Sequence, residues 1–285
     1  MPRTTAELLE LLDLETIDDN LFRGSQQASI LPRVFGGQVA AQALVAADRT
    51  VEGDYAVHSL HSYFLQPGDT GAPIVYDVER LRDSRSFATR RVLARQHGRP
   101  IYVMTVDLQR PEEGYEHQDR MPQVPAPEEA LAVNDKIRGA DGSFTEWDVL
   151  DFRYVGSSHD LLPTDEDHPG RQQMWMRVND ALPDDPLLHA AAFTYASDAT
   201  IMGAALSPQG ISIGTREVMV ASLDHSVWFH RPFRADDWWL FDQHSPVATG
   251  GRGLVNARIF DRDGVLVASV AQEALIRRMR PAGGR

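Results

Sequence analysis

Residues 187–206, LLHAAAFTYASDATIMGAAL, are compatible with a helix and small or apolar on nearly every face, yet they carry one formal charge, Asp198. A carboxylate in such a setting loses its hydration, a cost that pairing or hydrogen bonds must offset. Either Asp198 occupies the one exposed stripe of the helix or caps a neighbouring loop, or it is held in a dry cleft as a general base or water-orienting group. Carboxylates of functional sites often sit in surroundings of the second kind.

Three further patterns bear on chemistry. GISIG, residues 210–214, has the spacing of a G-x-S-x-G nucleophile elbow with Ser212 at its centre, and His225, His230 and His244 follow downstream. An elbow needs a strand before the serine and a helix after it. Here a helix-like stretch precedes and the strand-like TREVMVASLDHSVWF follows, so the context is reversed. A serine hydrolase using Ser212 stands as the alternative rather than the leading reading. GGRG at 250–253 has neither the spacing nor the strand-to-helix setting of a dinucleotide loop and reads as the flexible start of a strand. His58 and His61 are three apart in strand-like sequence, which sends them to opposite faces, and no HExxH occurs. Packing or hydrogen bonding is expected of them, and no metal site.

Composition narrows the choice. The 285 residues, 42% hydrophobic and 24% charged, suffice for one large domain or two medium ones. A net charge of −13 argues against binding nucleic acid or an anionic membrane, which clustered Lys and Arg would drive. The absence of cysteine excludes disulfides, Fe–S clusters and a thiol nucleophile. The acidic start MPRTTAELLELLDLETI lacks the layout of a secretory signal, and RPAGGR is not a peroxisomal address. The only membrane-length apolar run carries Asp198 near its centre, which disfavours a span. A cytoplasmic location is expected.

The elements that must position Asp198 occur twice. VHSLHSYFLQPGD (57–69) and VASLDHSVWFHRPFRAD (220–236) share His-Ser, aromatics and then Pro in the same order. FATRRVLARQHGRPIYVMTVDLQ (87–109) and LVNARIFDRDGVLVASVAQEALIR (254–277) each read as two alternating runs around a Gly-containing turn, a hairpin signal. Upstream of each strand set lies a helix. One is FGGQVAAQALVAADRTV (35–51), opening at Gly36-Gly37. The other is the stretch holding Asp198, capped by Asp185, with Pro186 in its first turn and SPQG (207–210) as its stop. Between the halves, 110–170 is polar and contains the Pro-rich MPQVPAPEEA, after which QQMWMRVND (172–180) alternates and opens the second sheet. The pattern describes an antiparallel sheet wrapped around an apolar helix, twice. Laid together at an offset of 160, the two helices set Gln38 against Asp198.

Along nearly its whole length the chain resembles the acyl-CoA thioesterase II family. The resemblance rests on LFRG (21–24), RVFGGQVAAQAL (33–44), VHSLHSYFLQPGD (57–69), LRDSRSFATRRV (81–92), YASDATIM (195–202), LDHSVWFHRPF (223–233) and DGVLVASVAQEALIR (263–277), in family order and spacing. It implies an α+β double hotdog: two antiparallel sheets, each wrapped around a long central helix. The corresponding units are an N-terminal hotdog over 1–110, a Pro-rich connector over 111–165 and a C-terminal hotdog over 166–285. It also implies hydrolysis of fatty acyl-CoA to free fatty acid and CoA by an activated water, with no cofactor and no acyl-enzyme required.

Residue by residue, the resemblance makes the Asp of YASD Asp198, the Gln of the last strand Gln272, and the hydroxyl two residues before DHS Ser222, where bacterial members often have Thr. Asp198 would take the proton of the attacking water while Ser222 and Gln272 hold the water and the carboxylate. Backbone N–H groups at Gly37 and Gln38, opening a helix, could bind the thioester carbonyl; the glycines could equally serve close helix–sheet packing. The expected partners are the acyl-CoA substrate and, through exposed sheet faces, further copies of the chain as a homo-oligomer. Arg80, Arg82, Arg85, Arg90 and Arg91 form either a basic patch for CoA phosphates or a solvated strand edge. A non-catalytic acyl-CoA binding protein is the rival from another class, and the presence of all three polar groups argues against it.

Overall fold

The protein is described by a computed structural model covering residues 1–279 apart from 28, 30, 133–146, 157–166 and 212–216, so Ser212 lies outside the described residues. The first half comprises α1 (Thr5–Leu12), β1 (Glu15–Asp18), β2 (Leu21–Gly24), α2 (Gly36–Asp48), β3 (Ala56–Phe64), β4 (Ile74–Asp83), β5 (Phe87–Gln96) and β6 (Arg99–Gln109). After β7 (Leu131–Ala132) and β8 (Leu150–Gly156) come β9 (Arg171–Val178), α3 (Pro186–Ser197), α4 (Gly203–Leu206), β10 (Val218–Ser222), β11 (Asp224–Phe229), β12 (Trp239–Thr249), β13 (Arg252–Asp261) and β14 (Leu266–Arg278). Both expected hairpins form. His97 and Gly98 turn β5 into β6 with positive φ, as a tight hairpin requires. GGRG proves to be the β12–β13 turn, with Gly250 and Gly251 also at positive φ.

The strand pairings described are all antiparallel, and the strands make one 14-stranded sheet ordered β1-β2-β4-β5-β6-β3-β11-β14-β13-β12-β9-β8-β7, with β10 also on β14. This corrects the expectation of two separate sheets. Strands β3 and β11 pair edge to edge, satisfying two rows of backbone groups that separate sheets would leave open. In that junction Ser226 faces His61 and His225 faces Ser62. The repeated His-Ser segments are therefore out of phase by one residue: His61 is exposed, whereas His225 is buried.

Helix α2 lies over strands β2 to β6 and against α3. Its residues 37–47 are all buried, as are 189–197 of α3, and their Gly and Ala content lets the two axes approach closely. The helices run antiparallel. Gly36 at the start of α2 abuts Asp198 after α3, and Asp48 at the end of α2 feels the charge of Asp185 before α3. Gln38 and Asp198 thus belong to opposite helix ends, and the offset of 160 does not describe the structure.

The single long helix expected over 187–206 is also corrected. Asp185 caps α3 through its side chain to the Leu187 amide at 2.9 Å, and Pro186 takes the first position. The helix then stops at Ser197, with Asp198 as the C-cap residue. A turn follows, with Ala199 N–H bonded to Ala196 and Gly203 N–H to Thr200, before the short α4 and the Ser207–Gln209 turn of 3-10 helix. The bonds that Asp198 makes to distant residues, given below, hold the break open against an apolar sequence that favours helix.

Candidate active site

Asp198 hangs from the end of α3, Ser222 closes β10 and Gln272 lies in β14. Their side chains meet. Ser222 Oγ donates to Asp198 Oδ1 at 3.0 Å, and the Gln272 amide donates to Asp198 Oδ1 and to Ser222 Oγ, each at 2.9 Å. Both amide hydrogens of Gln272 are committed to these two bonds, so Gln272 fixes the spacing of its partners and has none left for a water. It is fully buried, whereas Asp198 and Ser222 are half-buried.

A local irregularity aims Ser222. Ser222 pairs with Ala274 and Ser226 with Ala271, so four steps along β10–β11 oppose three along β14. The extra residue is a bulge, a device that re-aims side chains beside functional sites. Leu223 and Asp224 tie it to β14, through Leu223 N–H to Glu273 O and through Glu273 N–H to Asp224 Oδ1.

Asp198 and Ser222 open onto a cavity of about 400 Å³. Its walls are mostly apolar, from Val34, Val39, Phe64, Ile101 and Met202 among others, and Arg33 is the one cation among the described residues that line it. Gly36 also lines it. A Cβ there would lie 2.7 Å from Asp198 Oδ2 and 2.8 Å from the Phe64 ring, so only glycine lets the carboxylate reach the start of α2. The backbone N–H of Gly37, at the start of α2, favours the charged form of Asp198. Gln38 turns its side chain the other way, to Gln26 Oε1 at 2.9 Å. Burial pushes the Asp198 carboxyl above the ordinary aspartate range, opposed by His225 and by the bonds from Gln272, Ser222 and Gly37. Burial pushes His225 the other way, towards the neutral imidazole.

Other sequence candidates lie elsewhere. A bulge between Val57 and Ser59 turns His58 to Asp107 at 3.1 Å, on the outer side of the sheet where His61 meets Ser226 and Trp228. The two histidines therefore do not face opposite ways; the extra residue resets the alternation. Within the Arg run, Arg90 is fully buried and donates to Thr50, Arg82, Thr89 and Asp83, so no ligand can use it. Arg91 pairs with Glu79 and Arg80 with Asn20 on the solvated face of β4 and β5, which lie inside the sheet order rather than at its edge as expected. Sequence reasoning missed His225 as a neighbour of the site and Arg33 as part of the cavity wall. Both stand inside quoted motifs, but only pairing and packing reveal which way they point.

Comparisons with known proteins converge. Residues 152–275 match the family model described as acyl-CoA thioesterase, and residues 25–109 match that of an acyl-CoA thioesterase N-terminal domain. The chain is 40% identical over 278 residues to acyl-CoA thioesterase 2 of Haemophilus influenzae, covering 95% of this chain and 96% of that one. It resembles the crystal structure of acyl-CoA thioesterase II TesB2 from Mycobacterium marinum with a TM-score of 0.81 and 44% identity, over 98% of this chain and 99% of that one. A hot dog fold protein from Alicyclobacillus acidocaldarius matches with a TM-score of 0.80 at 20% identity, over 97% of this chain and 100% of that one, which speaks for the fold alone.

Proposed function

The chain belongs to the acyl-CoA thioesterase II family, a hotdog-fold thioester hydrolase acting on acyl-CoA, and from that premise we propose that Asp198, Ser222 and Gln272 carry its catalysis. The observation that supports this most is their mutual bonding at the wall of an apolar cavity. The acyl chain lies along that wall, and a water beside Asp198 attacks the thioester carbonyl. Asp198 takes the water's proton as the new C–O bond forms, then the C–S bond breaks and the proton passes to the departing sulfur. Ser222 and Gln272 hold Asp198 in place. The positive end of α2, through the backbone N–H groups of Gly37 and Gln38, stabilises the oxyanion.

We further read the molecule as a double hotdog whose two sheets are joined edge to edge through β3 and β11, with units 1–110 and 166–285 joined by 111–165, and place it in the cytoplasm as a homo-oligomer. The division is supported by the chain order of helix and meander in each half, and by the pairing of β3 with β11 where the halves meet. Outward-facing apolar residues on those junction strands support self-association.

Release of free thiol from palmitoyl-CoA tests the catalytic assignment. Asp198→Asn should lower kcat by roughly 100- to 10,000-fold, and Ser222→Ala and Gln272→Ala by smaller factors. Ser212→Ala should match the wild type. Loss confined to Ser212→Ala would overturn the assignment in favour of a serine nucleophile.

A further inference from the structure

A carboxamide has two nearly isosteric orientations that exchange its donor and acceptor ends. In the one found here, the NH2 of Gln272 faces Asp198 Oδ1 and Ser222 Oγ. The flipped form would set Oε1 against the carboxylate, acceptor to acceptor, so an ionised Asp198 resists it. That resistance disappears once Asp198 has taken a proton from water, because a carboxylic acid can donate to Oε1. Whatever holds the amide through turnover must act from its other side.

On that side Oε1 of Gln272 meets Nδ1 of His225. Oε1 only accepts, so Nδ1 carries the hydrogen. Nε2, 2.9 Å from Ser197 Oγ, is left as an acceptor in the neutral ring, sharing the single hydrogen of that hydroxyl with the Thr194 carbonyl at 3.1 Å. His225 is fully buried, and its backbone carbonyl accepts the Ser62 hydroxyl at 2.7 Å across the β3–β11 junction. The ring is thus anchored at the end of α3 and in β14, and the backbone that carries it is tied to the first half of the chain.

We propose that His225 is a positioning residue for the hydrolysis: its Nδ1–H holds the Gln272 carboxamide so that both amide hydrogens stay on Asp198 and Ser222 throughout turnover. This rests on the catalytic reading given above. It assigns His225 no contact with the substrate.

The test compares His225→Leu, His225→Asn, His225→Gln, Gln272→Ala and the double variant His225→Leu/Gln272→Ala for kcat, KM and Tm. Asparagine puts its amide nitrogen as many bonds from Cα as Nδ1 and keeps the donor. Glutamine puts it where Nε2 stands and leaves Oε1 without one. The expected result is a fall in kcat of roughly 10- to 100-fold for the Leu and Gln variants with little change in KM. His225→Asn should keep most activity, and the double variant should fall no further than Gln272→Ala alone. Equal losses in the Asn and Gln variants, or a double variant that multiplies the two single losses, would overturn the proposal. If His225→Leu does not fold, the Asn–Gln contrast decides. Wild-type kcat in Gln272→Ala would sink the catalytic reading itself, whereas a loss there with unaffected His225 variants would sink only the positioning role.

Discussion

At the scale of single residues, the site is organised around one acceptor atom, Asp198 Oδ1, which takes bonds from both Ser222 and Gln272. That leaves Oδ2 as the oxygen beside Gly36, which lines the cavity. Such a carboxylate is oriented without being neutralised, the requirement for a general base. Burial raises its pKa above the ordinary aspartate value of 3.8. A base must be ionised to act, so activity should be lost as pH falls through the raised value. The acid limb of log kcat/KM for acyl-CoA hydrolysis is therefore expected above pH 3.8. A limb at or below that point would mean that Asp198 is not the titrating base. The sign for stability is opposite: a raised carboxyl pKa favours the folded state when protonated, and this contribution fades as pH rises through the folded pKa.

At the scale of elements, the meeting of two helix ends makes the site. Helix α3 must stop at Ser197 for Asp198 to turn out, and α2 must open on glycine for the carboxylate to approach its amides. Gly36→Ala tests this directly. The glycine has no positive φ, so alanine strains no backbone, but its Cβ displaces either Asp198 or the Phe64 ring. A stable protein with kcat reduced by roughly 100-fold is expected, the size of effect that ångström-scale misplacement of a reacting group produces. Unchanged kcat with unchanged Tm would show that the close approach is not needed. The bulge opposite Gln272 is the second such element, and without its extra residue Ser222 would alternate to the other face.

At the scale of the whole molecule, neither half is complete. Gly36 and Gly37 come from the first, the three polar side chains from the second, and Ser62 of the first anchors the strand that carries His225. The same junction presents His61, Tyr63 and Trp228 outward, with Tyr63 61% and Trp228 37% exposed. Burying such a surface against a second copy is favourable. Light scattering should accordingly give a multiple of 31.8 kDa, reduced in Tyr63→Lys/Trp228→Lys while the circular dichroism spectrum is kept. A mass of one chain for the wild type at micromolar concentration would contradict the proposed assembly.

The sequence by itself determined the helix–meander order of each half, both hairpins and the cap at Asp185, because these rest on local periodicity and turn chemistry; its resemblance to the family pointed to Asp198, Ser222 and Gln272, whose side chains the structure brings together. It did not determine where α3 ends, since residues 187–206 are locally good helix throughout and only bonds to Ser222 and Gln272, 24 and 74 positions away, hold the break. Nor did it determine the facing of the histidines. One extra residue in β3 brings His58 to the outer side, and a one-residue phase difference at the β3–β11 junction buries His225 behind Gln272 while leaving His61 exposed. Strand alternation has a period of two, so a single bulge reverses every later side chain. The fusion of two expected sheets into one was likewise decided by tertiary structure, because edge pairing between distant strands leaves no local mark in the sequence.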